Sequence, residues 1–143
     1  MVWFGLVISG YVWSMSDLTH VHLPNLEDFA SKSGVDDVSF RGARDALGCE
    51  KSGLSLQAIA GGARQPFGHR HSEEEEIYLV LKGGGTMRAG TQDVELRPMD
   101  AVRVAPGVTR AIEAGPDGIE FVAFGSPGGG RADGEKLPGW WGD

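Results

Sequence analysis

From residue 54 onward, apolar residues recur in short runs separated by glycine- and proline-rich breaks. The runs predict strands at 54–60, 76–82, 85–89, 93–97, 100–105, 109–114 and 119–125. Gly61-Gly62, Gly83 to Gly85, Ala89-Gly90, Arg97-Pro98, Pro106-Gly107 and Gly115 to Gly118 fall between them. Strands about ten residues apart, with no helical pattern between them, point to a sandwich or barrel. In the run opened by Glu76, alternation places Glu76, Tyr78 and Val80 on one face and Ile77, Leu79 and Leu81 on the other. Both faces are largely apolar, so the outer one needs a cover. The candidates are a helix at 24–32, the tail tryptophans, or a partner subunit.

The first half of the chain is less regular. Residues 1–13 are apolar but too short to span a membrane as a helix, and they lack the basic start of a secretory signal. Either translation begins at Met15 and residues 1–14 are an extension, or they form a strand that covers an apolar face. Leu23, Leu26, Phe29 and Ala30 keep helical spacing ahead of Gly34, which predicts a short helix over 24–32. Residues 36–53 read as irregular and polar. The expected organisation is an N-terminal arm at 15–53, a barrel at 54–125 and an irregular tail at 126–143 ending in Trp140-Trp141. Adjacent tryptophans at a terminus suit capping of an apolar patch. No repeat or linker is visible.

Composition narrows the partners. The formal charge is −7, and Lys and Arg are scattered, which argues against a nucleic-acid surface. The single cysteine, Cys49, excludes an intrachain disulfide and a cysteine-based zinc site. A cytoplasmic location with no membrane association is expected. No triad pattern, phosphate loop or dinucleotide glycine motif is present, and no organic cofactor is expected.

The chemistry concentrates at 62–83. His69 and His71 are two apart, so in a strand both imidazoles point to one face. Glu76 follows and opens the apolar run. Most of the acidic run Glu73 to Glu76 reads as a solvated loop, with Glu76 alone turned inward. Two imidazoles and a carboxylate form a plausible transition-metal site.

The pattern His69-x-His71-x4-Glu76-x6-Gly83, inside a series of short strands, resembles the first motif of the cupin superfamily, G-x5-H-x-H-x3–4-E-x6-G. Both histidines, the glutamate and the closing glycine match, while Ala63 stands where the leading glycine is usual. The resemblance covers about residues 54–125. It implies an all-β double-stranded β-helix, a jelly-roll barrel with its site inside, and frequent homodimerisation. The second cupin motif is degenerate here. Arg110 stands where the family places a fourth ligand histidine, and no histidine follows His71.

Two readings of the site follow. In one, His69, His71 and Glu76 bind a divalent transition metal (Fe, Mn, Ni, Cu or Zn). Open coordination positions would then suit a mononuclear metalloenzyme of the oxygenase, decarboxylase or isomerase type. Arg110 cannot be a ligand, because guanidinium has no lone pair to offer, but it can clamp the carboxylate of an anionic substrate. In the other, Arg110 pairs with Glu76 and displaces the metal, leaving a polar pocket or a metal-free structural or regulatory module. The first-ranked function is a small-molecule-binding cupin of unassigned activity, with a barrel-interior pocket of His69, His71, Glu76 and Arg110; its expected partner is a small, anionic molecule, with Arg110, Gln57 and Tyr78 as substrate-binding candidates. Gln57 reads more readily as a solvent-facing strand residue than as a pocket lining. His20 and His22, a second His-x-His pair, either supply a missing ligand or are surface residues. Cys49 has no context that would activate its thiol.

Overall fold

The computed structural model describes residues 18–126 and 133–142. The expectations for residues 1–14 and for Met15 lie outside the described residues. Among the described residues, eight strands form one curled antiparallel sheet: β1 (Val38–Gly42), β2 (Gly53–Ile59), β3 (Phe67–His71), β4 (Glu75–Ala89), β5 (Gln92–Leu96), β6 (Ala101–Val104), β7 (Arg110–Ser126) and β8 (Gly134–Pro138). The order along one path is β1-β2-β7-β3-β8, and β4 pairs with β5, β6 and β7. The sheet closes on itself as a double-stranded β-helix, the architecture the alternation and the motif predict.

Two long strands replace four short predicted ones. The glycines at 83–85 bend the chain without ending the strand. Register shifts between Val80/Lys82 and between Gly83/Gly85 mark bulges that let β4 continue round the barrel corner. Glycine is required there: a Cβ on Gly83 would meet Gly118 O at 2.0 Å, and φ at Gly83 is +68°. β7 likewise runs unbroken through Gly115 to Gly118.

Elsewhere the chain is more ordered than its sequence suggests. Within 36–53, β1 pairs with β2, and a short helix α2 (Arg44–Leu47) follows. The helix expected over 24–32 resolves into a 3-10 turn at Leu23–Asn25 and a one-turn helix α1 (Phe29–Lys32). Pro24 starts the first, and the extended Asp28 separates the two, its carboxylate capping Ala30 N and Ser31 N and accepting from Phe40 N of β1. The tail, read as irregular, supplies β8, which covers the edge of β3.

The interior is filled by Ile59, Tyr78, Val80, Met87, Leu96, Val104, Ile112, Ala114, Ile119, Phe121 and Ala123. Each of the larger ones contributes about 1.5–3 kcal/mol by leaving water. The alternation predicted for β4 holds: Tyr78 and Val80 are buried, whereas Ile77 is 39% exposed. On the outer face Ile77 pairs in register with Phe124, itself 43% exposed. α1 packs on Phe40 of β1, and Trp140 lies over Gly68 of β3. Among the described residues, no helix is long and apolar enough to cross a membrane.

Candidate functional site

β3 carries His69 and His71, and the start of β4 carries Glu76 and Tyr78. Arg110 opens β7, in register with His69 on one side and Ala89 on the other. Strand phase turns all five side chains to one region of the barrel interior. His69 Nε2 lies 3.6 Å from Glu76 Oε2, and His71 Nε2 lies 3.8 Å from the same oxygen. The imidazole rings meet edge to face with centroids 5.4 Å apart.

Glu76 Oε2 is also the acceptor for two donors. Tyr78 OH donates to it at 2.5 Å, and Arg110 Nη2 donates to it in an ion pair. The remaining guanidinium nitrogens are engaged too: Nε donates to Tyr78 OH at 2.9 Å, and Nη1 to Val108 O at 3.1 Å. Arg110 is 1% exposed. Its guanidinium is buried behind Glu76 and points at protein partners.

These contacts set the protonation states. Burial works to raise the Glu76 carboxyl, but the His69 imidazole, the Arg110 charge and the Tyr78 hydroxyl outweigh it and hold the carboxyl down at about 2. Burial and the Glu76 charge push the Tyr78 hydroxyl well above its ordinary value. Burial also lowers His71, the nearby Glu76 opposing and Arg110 assisting.

Gln57 makes its hydrogen bonds to other residues. It donates to Ser55 Oγ at 3.0 Å and accepts from Gln65 Nε2 at 3.4 Å, while Gln65 Oε1 accepts from Ile112 N. It is 7% exposed, a buried residue of a polar relay and not the solvent-facing alternative. His20 and His22 are exposed and, among the described residues, join neither His69, His71 and Glu76 nor His71, Glu74 and Asp133, the two groups whose donor atoms converge closely enough for a metal ion. Cys49 is half-buried.

Two residues near the site, Glu74 and Asp133, carry no signature in the sequence, and neither does Gln65 of the Gln57 relay. Glu74, read as part of a solvated loop, is half-buried and faces His71 Nδ1 at 3.5 Å. Burial, then Glu76 and Asp133, raise its carboxyl. Asp133 of the tail accepts from Ser72 N, Glu73 N and Glu74 N, tying down the turn between β3 and β4. The Ser72 hydroxyl, which also donates to it, and then these backbone N–H groups hold its carboxyl well below the usual range. Gln65 accepts Trp141 Nε1 at its carbonyl, 2.8 Å away. A cavity of about 370 Å³ opens beside His71, lined by Arg70, Ser72, Gly107, Asp133 and Glu135. A larger hollow of about 480 Å³ is lined by Arg64, Arg88 and Trp141 but by none of the predicted site residues.

The donor set fits a transition metal in kind and spacing. His69, His71 and Glu76 each offer one atom, all within 4.8 Å of one another. Bonds of about 2.0–2.1 Å around a tetrahedral ion place ligand atoms roughly 3.4 Å apart, near the 3.6 and 3.8 Å found here.

Comparisons with known proteins agree with this architecture. Residues 55–122 match the family model described as a cupin domain. A cupin protein from Bacteroides fragilis superimposes with a TM-score of 0.66 at 25% identity, over 82% of this chain and 90% of that one. A sugar phosphate isomerase from a cupin superfamily, from Silicibacter pomeroyi, gives 0.63 at 19% identity over 76% and 75%. A predicted oxalate decarboxylase from Thermotoga maritima gives 0.55 at 24% over 62% and 79%. The last two likenesses concern the fold alone. No curated protein matches the chain by sequence.

Proposed function

Because this chain belongs to the cupin superfamily, its interior site is read against that barrel, and we propose that it is a small-molecule-binding cupin. In this reading His69, His71 and Glu76 hold a divalent transition metal whose open positions take a small anionic molecule. The observation that carries it is the approach of both Nε2 atoms to one carboxylate oxygen, 3.6 and 3.8 Å away. The bound metal would supply Lewis acidity toward a ligand oxygen.

The protein's own residues set the ligand's charge. Arg110 already compensates Glu76, so a dication at this site keeps most of its charge and favours an anionic chelator. Arg110 then acts through Glu76 and does not touch the ligand. Tyr78 shares that role, and Gln57 supports the barrel from its relay. The apolar outer face at Ile77 and Phe124 supports a homodimer, and the chain's organisation is a barrel at 54–125 with an arm and a tail.

The Arg110–Glu76 ion pair favours a second reading, a metal-free polar pocket. Metal analysis separates the two, on protein purified without chelators or a histidine tag. Near-stoichiometric Fe, Mn, Ni, Cu or Zn, lost in His69→Ala, supports the first. A protein that stays metal-free after incubation with each of these ions overturns it.

A further inference from the structure

His71 presents Nε2 to Glu76, yet a neutral imidazole carries one N–H, and the neighbour of its other nitrogen decides where that proton resides. For His71 two carboxylates stand on that side. Glu74 Oε2 is 3.5 Å from Nδ1 and Asp133 Oδ2 is 3.9 Å away. Nδ1 itself is buried with no completed hydrogen bond.

The two carboxylates are not equal as acceptors. Asp133 is committed to Ser72, Glu73 and Glu74, whose backbone N–H groups it accepts. Among the described residues, His71 is the one partner within ion-pairing distance of the Glu74 carboxylate. On the opposite side, Glu76 Oε2 already accepts from Tyr78 and Arg110, so it competes poorly for a His71 proton. The fold also makes room for Glu74. A Cβ on Gly125 would lie 1.7 Å from Glu74 Oε1, and Gly125 is the β7 register partner of Glu76.

We propose that Glu74 is a positioning residue that keeps the His71 proton on Nδ1 and so turns the Nε2 lone pair toward His69 and Glu76. Its purpose rests on the metal reading above; its geometry does not. Carboxylates behind a ligating imidazole fix its tautomer and orientation, and their removal costs roughly 10–100-fold in metal affinity.

The test uses the full chain, 15N-labelled and freed of metal. Long-range proton–nitrogen correlation spectra assign the tautomers of His69 and His71 in the wild type, Glu74→Ala and Gly125→Ala. The expected result is an Nδ1–H tautomer for His71 in the wild type and a shift toward Nε2–H in both variants, with the His69 signals unmoved as a reporter of the fold. Co(II) titration should weaken by roughly 10–100-fold in both variants. An Nε2–H tautomer in the wild type, or an unchanged tautomer in Glu74→Ala, overturns the proposal. A wild type with Nδ1–H that binds no Co(II) supports the positioning role and sinks the metal reading instead.

Discussion

Arg110 Nη2 donates to Glu76 Oε2, the same carboxylate atom that His69 and His71 face. One cation in the barrel wall thus holds the carboxylate that both imidazoles face. Removing it leaves a buried carboxylate without a counter-charge. Arg110→Met should therefore cost about 3–5 kcal/mol, read as a lowered urea midpoint; an unchanged midpoint would show that the pair is not what stabilises this region.

Arg110→His tests the same pair from the metal's side. The substitution removes a positive charge and places an imidazole where the guanidinium was. Zn(II) affinity, measured by calorimetry at pH 7.5, should rise by about tenfold or more, equivalent to ~1.4 kcal/mol. Equal or weaker binding would count against Arg110 as the residue that limits the site.

Acid should destabilise the protein in a window set by Glu76. Its carboxyl lies at about 2 in the fold against an ordinary 4.5. The stabilisation is therefore complete above pH 4.5 and is lost as pH falls through 2. It is on the order of 3 kcal/mol. His71, lowered by burial, acts in the same sense as pH drops below its ordinary value, because the unfolded chain takes up the proton more readily. Glu74, raised by burial, acts in the opposite sense. Unfolding free energies between pH 2 and 5 should fall steeply in the wild type and less so in Glu76→Gln.

Gly68 is where the tail meets the histidine strand. A Cβ there would lie 2.6 Å from Trp140 Cγ and 2.9 Å from Thr109 Cγ2. Gly68→Ala should cost about 1–3 kcal/mol by overpacking. In a Trp140→Ala background most of that penalty should disappear, a coupling that thermal denaturation of the double-mutant cycle will show.

If the apolar outer face joins two copies, Phe124→Arg places a charge in the middle of it. Light scattering should then give a monomer mass for the variant and a dimer mass for the wild type. A dimeric variant would move the interface elsewhere.

The legible part of this protein is the part written locally. Alternation over residues 76–82 places Tyr78 and Val80 inside and Ile77 outside, because strand period is a property of neighbouring residues. The His69, His71 and Glu76 pattern spans the short turn from β3 to β4, so the connection itself keeps those side chains close, while both strands pair with β7 and not with one another. The breaks at Gly83 to Gly85 and Gly115 to Gly118 are visible, but not that the chain passes through them as bent strands. Glycine licenses both a turn and a bulge, and only the partner strand chooses.

Everything that depends on distant pairing waits for the closed barrel. β8 has no alternation to announce it and forms because the edge of β3 is open to it. Asp133 reaches the Ser72 turn from 61 residues away. Glu74, one of four consecutive glutamates, differs from Glu73 and Glu75 because Gly125 leaves a space on a strand it meets only in the barrel. Local pattern sufficed for the cupin resemblance, the barrel and the candidate ligands His69, His71 and Glu76. Whether Arg110 faces a ligand or Glu76 was decided by closure of the sheet, which buries its guanidinium and turns its donors onto Glu76, Tyr78 and Val108.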